Sequence, residues 1–125
     1  MRMPVIERSP TAAGQLLIAL DMWRGPVLEL ALIGGNDAAE NASVLEELQR
    51  AYVPNRVLAY RAGELPANRD FRGQSTHLKP LFASRGAIDG QPTLYICQNF
   101  ACQQPVIGAA SIRQAIQRLI ASPQA

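Results

Sequence analysis

Seven consecutive residues, Val27-Leu28-Glu29-Leu30-Ala31-Leu32-Ile33, constrain this chain more than any other stretch. Pro26 closes the run on one side and Gly34-Gly35 on the other. A segment this short is not an ordinary helix, and it lacks the in-and-out alternation of a strand with one wet face. The run therefore predicts a strand buried on both faces, a pattern typical of parallel sheets covered by helices.

The neighbouring segments supply the helices. Ser9-Pro10 offers an N-cap hydroxyl followed by a proline in the first turn, and Ala13, Leu16, Leu17, Leu20 and Trp23 recur on one helical face up to Gly25-Pro26. This spacing predicts a helix over 10–23. After Gly34-Gly35, Asn36 or Asp37 can cap a second helix, and with Asp37 as the cap Glu40 sits at its third position as in a capping box. Val44, Leu45, Leu48 and Tyr52 form the stripe, and Pro54-Asn55 ends it. A second short strand is predicted over 56–60 and a surface loop over 61–74. A short helix over 75–84 would bury Leu78, Leu81 and Phe82. The third strand is Thr93 to Cys97, and Ile112, Ala115, Ile116, Leu119 and Ile120 define a last helix ending near Ile120. Strands separated by helical segments predict a single α/β domain over residues 1–125. The expected form is a small three-layer arrangement of about three mainly parallel strands with helices on both faces.

Composition narrows the function classes. A length of 125 residues suits one domain, and 48% hydrophobic against 18% charged residues leans apolar, which favours a covered surface as well as a core. Twelve basic and ten acidic residues are interspersed, with no concentrated positive patch, so nucleic-acid binding is not expected. No segment approaches the roughly 20 apolar residues that cross a bilayer. The expectation is a cytoplasmic chain without membrane contact, and its two cysteines do not describe a disulfide-built scaffold.

The late stretch Pro92-Thr93-Leu94-Tyr95-Ile96-Cys97-Gln98-Asn99-Phe100-Ala101-Cys102-Gln103-Gln104-Pro105, preceded by Ile88-Asp89-Gly90, resembles the closing motif of the thioredoxin-domain-containing, spermatogenesis-associated protein family. Ser9-Pro10 through Gly35, and Tyr52-Val53-Pro54-Asn55 with the strand after it, are similar to the segments that precede that motif. The resemblance implies a C-terminal region. Complete members carry a thioredoxin-like domain and an α/α barrel ahead of it, and neither has a counterpart in these 125 residues. The helix at 10–23 would then pack on the barrel, so the implied partners are barrel and thioredoxin-like domains, or a second copy of the chain.

Four residues separate Cys97 from Cys102, and a turn at Asn99-Phe100 can bring them to disulfide distance. So small a loop adds only about 2 kcal/mol in the chain-entropy model. Gln103-Gln104-Pro105 provides neither a cation nor a helix N-terminus to stabilise a thiolate. The pair reads first as buried or structural thiols, with a disulfide or redox switch as the alternative and metal ligation last. Beyond these thiols only His77 could join a zinc site that wants four ligands, so no metal or other cofactor is expected. Gly34, Gly35 and Asn36 lie where α/β folds bind anions, at the end of a strand leading into a helix, although Asp37 would repel an anion and a tight turn is the simpler account. Arg56, Arg61, Arg69 and Arg72 could line an anionic cleft or a solvated edge. No acid, base and nucleophile set is recognisable. The leading expectation is a non-catalytic accessory or interaction domain.

Overall fold

The chain from Leu28 to Ile33 forms the central strand of a five-stranded sheet, and the computed structural model describes residues 9–63 and 79–121 around it. In order, a 3-10 turn (Pro10–Ala13) leads into α1 (Gly14–Arg24), β1 (Leu28–Ile33), α2 (Ala38–Arg50), β2 (Arg56–Arg61) and the single turn α3 (Lys79–Phe82). Then come β3 (Thr93–Gln98), β4 (Ala101–Cys102), β5 (Val106–Ile107) and α4 (Ala109–Ala121). The predicted segments at 10–23, 27–33, 56–60 and 93–97 agree with these elements to within a residue at each end. Residues 64–78 lie outside the described residues and take with them most of the predicted loop and the start of the predicted 75–84 helix. Within that last prediction, Leu81 and Phe82 are half-buried.

The sheet runs β2-β1-β3-β4, and β5 also pairs with β3. Only β1 and β2 are parallel. β3 runs antiparallel to β1, with Leu30 opposite Ile96 and Ile33 opposite Thr93, and β4 and β5 are antiparallel to β3. The α/β class stands, but the expectation of mainly parallel strands is corrected. A continuous apolar run reports that both faces of a strand are covered and says nothing about the direction of its neighbours. β2 ends beside Ile33 and β3 begins beside Ile33, so the chain leaves β2 and enters β3 at the same end of the sheet and no crossover is needed.

Alternation decides which side chains meet which layer. Leu28, Leu30 and Leu32 point to one face together with Leu58, Leu94 and Ile96. There they join Val44 and Leu48 of α2 and Ile112, Ala115 and Ile116 of α4 in one buried cluster. Each such side chain contributes about 1.5–3 kcal/mol when fully buried, which makes this layer the main source of stability. Between the two helices, Arg113 pairs with Glu47 at 2.7 Å and reaches Ser43 Oγ at 3.1 Å. On the other face Ala31, Ile33, Thr93 and Cys97 are also buried. The chain around α3 serves this side: Arg61 lies over the Phe82 ring, and Tyr95 donates to the Gly86 carbonyl at 2.9 Å.

The end of the sheet where β1 stops is tightly tied. Of the two expected caps, Asp37 is the one that caps α2, its Oδ1 accepting from the N–H groups of Ala39 (2.8 Å) and Glu40 (3.1 Å). Asn41, buried one turn into the helix, accepts from Gly35 N–H at 2.7 Å and donates back to the Gly35 carbonyl at 2.9 Å. A Cβ on Gly35 would come within 2.4 Å of the Gly90 carbonyl oxygen and 2.7 Å of Pro92 N, so only glycine lets these backbones approach. Gly35→Ala is expected to lower the unfolding free energy by about 1–3 kcal/mol, as overpacking does, and Asp37→Ala by about 1 kcal/mol through loss of the cap. Urea titrations followed by circular dichroism measure both, and a Gly35→Ala protein as stable as the parent would contradict the close approach.

Candidate functional site

The hairpin between β3 and β4 brings the two cysteines together. Its turn has only two central residues, Asn99 (φ +51°) and Phe100 (φ +65°), both left-handed, as a type I′ connection requires. That turn fixes the register, so Cys97 pairs with Cys102 and Gln98 with Ala101. The two Cα atoms are 3.9 Å apart and the sulfurs are joined at 2.05 Å. The reading as structural thiols thus gives way to a disulfide, because a two-residue turn makes the cysteines direct cross-strand neighbours. Cys97 is 1% exposed, whereas Cys102 lies at the surface.

A cation also stands at the bond. The Arg85 guanidinium donates through Nη2 to Cys97 Sγ at 3.2 Å and approaches Cys102 Sγ at 3.5 Å. Its Nη1 is held by the Leu81 carbonyl, and Arg61 Nη2 donates to the Arg85 carbonyl at 2.8 Å. Sequence reasoning looked for thiolate stabilisation only beside the cysteines and missed a residue twelve positions upstream of Cys97. No local pattern marks Arg85; only the pairing of β3 with its neighbours and the return of the chain after α3 bring it there. Glu29 occupies the register position opposite Cys97 on β1 and so adds a carboxylate on the same face.

The other expected sites are placed differently. At the Gly34-Gly35-Asn36 turn every N–H already has an acceptor inside the protein: Arg61 O for Gly34, Asn41 Oδ1 for Gly35 and Gly90 O for Asn36. No convergent donors are left there for an anion. Arg56 donates to the Leu48 and Gln49 carbonyls at the end of α2, a helix C-terminus that favours a cation. With Arg61 turned toward Arg85 and Phe82, neither arginine opens into a cleft. Arg69, Arg72 and His77 lie outside the described residues. Among the described residues, no three His, Cys, Asp or Glu side chains cluster as metal ligands would, and no helix is long and apolar enough to cross a membrane.

An uncovered apolar surface adjoins the hairpin. α1 buries none of its residues, and Leu16, Ile18, Met22 and Trp23 are exposed, Trp23 to 87%. The Phe100 side chain is fully exposed at the hairpin tip. Met22, Trp23, Pro26, Val27, Glu29 and Phe100 line one cleft at the end of the sheet where β1 starts. The link from α1 into β1 passes through a cis Gly25–Pro26 bond, and Asn55 Nδ2 donates to Asp21 at 3.1 Å.

No family model and no solved structure matches the chain. Among curated proteins, it is 22% identical over 109 residues to human spermatogenesis-associated protein 20, covering 87% of this chain and 13% of that one. The rat and mouse proteins of the same name are 21% and 22% identical over 113 residues, 90% of this chain and 14% of each relative. The chain thus spans 13–14% of the length of the curated relatives it matches. A similarity that fills most of this chain and a small part of the other fits a domain of a larger protein. The chain is weakly homologous to spermatogenesis-associated protein 20, consistent with a C-terminal region of that family.

Proposed function

We propose that this chain is a non-catalytic accessory domain that docks through α1 and the tip of the β3–β4 hairpin. The occupant is a barrel domain of the kind its relatives' family carries, or a second copy of the chain where no barrel is present. The observation that carries this reading is α1 itself, a helix of eleven residues with four large apolar side chains in water and none of its residues buried. Exposed apolar surface gathered at one end of a small domain marks an interaction site. Phe100 adds to it. A phenylalanine in the left-handed region costs roughly 1–2 kcal/mol, and in this turn it holds a fully exposed ring beside Trp23 instead of filling the core. Placing the chain in the cytoplasm belongs to the same proposal, as does the absence of nucleic-acid and membrane partners.

A second reading, a thiol redox or sensor module, is favoured by the Cys97–Cys102 disulfide and the Arg85 contact. In a reducing compartment a disulfide is usually transient and functional, which gives this reading weight if the chain works in the cytoplasm.

Trp23 is the single tryptophan, so its emission reports directly on the docking surface. Light scattering is expected to show association that grows with concentration, or complex formation when the barrel region of a relative is added, with a blue shift of the Trp23 emission in either case. Phe100→Gly restores the preferred Asn-Gly turn and is expected to stabilise the isolated domain by about 1 kcal/mol while weakening that association several-fold. A monomer whose Trp23 emission stays water-like at every concentration and with the barrel present rules the docking reading out.

A further inference from the structure

We infer that the Cys97–Cys102 bond is a dithiol-exchange site in which Cys102 is the sulfur attacked and Cys97 the leaving thiolate, received by the Arg85 guanidinium. The inference rests on the redox reading above and adds the direction of the reaction, the class of reductant and the residue that favours it. Three features of the structure carry it. The two sulfurs differ in access, with Cys97 buried and Cys102 at the surface. The cation is nearer the buried sulfur, 3.2 Å against 3.5 Å. The guanidinium is also positioned in advance, held by the Leu81 carbonyl through Nη1 while Arg61 fixes the backbone of Arg85.

The exchange balances with a dithiol as co-reactant. One thiolate of the dithiol bonds to Cys102 Sγ as the Sγ–Sγ bond breaks, and the electron pair of that bond goes to Cys97 Sγ. A sulfur in a disulfide is a weak acceptor, whereas a thiolate is a full negative charge, so the Arg85 N–H contact strengthens as the bond opens. The second thiol of the dithiol then attacks the mixed disulfide and leaves as a disulfide itself. Cys102 departs as a thiolate and takes up a proton that the dithiol released. Two electrons pass from the dithiol to this protein; with Cys97 held as the thiolate, the dithiol's other proton goes to water. A leaving group stabilised in this way leaves faster and makes the bond easier to reduce. Glu29, opposite Cys97 on the same face, acts against the thiolate and sets a limit on the effect of Arg85. The turn and the β3–β1 pairing hold Cys97 in place without the bond, so reduction need not unfold the sheet.

The test equilibrates the chain with mixtures of reduced and oxidised dithiothreitol, then counts alkylated thiols by mass while circular dichroism follows the fold. The wild type is expected to cycle between disulfide and dithiol in the folded state. Arg85→Gln is expected to shift the equilibrium about tenfold toward the disulfide, a potential about 30 mV more negative, and Arg85→Lys, which keeps the charge, to recover part of that shift. If the wild type is reduced only when it unfolds, the redox reading itself falls. If it cycles but Arg85→Gln matches it, or Arg85→Lys is shifted as far as Gln, the redox reading stands and the role of Arg85 is overturned. The direction of attack has its own measurement, independent of whether the Arg85 variants fold. Reaction with Ellman's reagent is expected to be at least tenfold faster for Cys97→Ser, which keeps the exposed Cys102, than for Cys102→Ser. The reverse order overturns the assignment of Cys102 as the attacked sulfur.

Discussion

Burial of β1 between β2 and β3 is the constraint on which the remaining structure depends. Its backbone is paired along both edges, and Leu28, Leu30 and Leu32 on one face and Ala31 and Ile33 on the other are all removed from water. A strand with no wet face needs two covers. The stronger comes from α2 and α4, whose apolar stripes fill the same cluster, and the lighter from the chain around α3 with its Arg61–Phe82 and Tyr95–Gly86 contacts. Because Glu29 is the one charged residue in this strand and sits near its start, the strand tolerates solvent only at that end. The open cleft with Trp23 and Phe100 lies there.

The sheet has two unlike ends as a result. Where β1 stops, the Gly34-Gly35-Asn36 turn is surrounded by acceptors, Asn41 bonds Gly35 in both directions, and Gly90 and Pro92 lie too close to Gly35 for any side chain. In many α/β folds that end presents free N–H groups to a ligand. Here those groups are spent on joining β1, α2 and the segment before β3, so this end serves as a structural joint. At the opposite end the cover is thin: α1 buries none of its residues and the hairpin tip projects.

Local features of the fold were legible in the sequence because local chemistry determines them. The Asn36-Asp37 pair ahead of an apolar stripe marked a helix start, which the structure caps with Asp37, and the apolar spacing of Ile112, Ala115 and Ile116 specified a buried helix face. Strand direction was not legible, since Leu28–Ile33 would read the same between parallel or antiparallel neighbours. The cysteines show the same division. Their spacing and a turn at Asn99-Phe100 allowed a disulfide, but Asn-Phe is not the Asn-Gly pair that marks a two-residue turn, so the direct pairing of Cys97 with Cys102 was not legible. Arg85 could not be read at all, because its contact with the sulfurs depends on how residues far apart in sequence return to one face of the sheet.

The exposed Phe100 and the disulfide are physically linked, since both belong to the same hairpin. Cys102 stands two residues from Phe100, and the register of that short turn sets the positions of both. A partner large enough to cover Trp23 and Phe100 would therefore restrict the approach of a dithiol to Cys102. Conversely, opening the bond removes the covalent link across the hairpin and leaves the turn, a two-residue ladder and the Gln103 N–H bond to the Ile96 carbonyl to hold the tip that carries Phe100. By linkage, each such effect must be reciprocal: if docking favours the oxidised hairpin by some factor, oxidation strengthens docking by the same factor. The left-handed Phe100 supplies an energetic basis for that coupling. A conformation that costs free energy in the isolated domain is the one most readily shifted when either the disulfide or a partner is taken away.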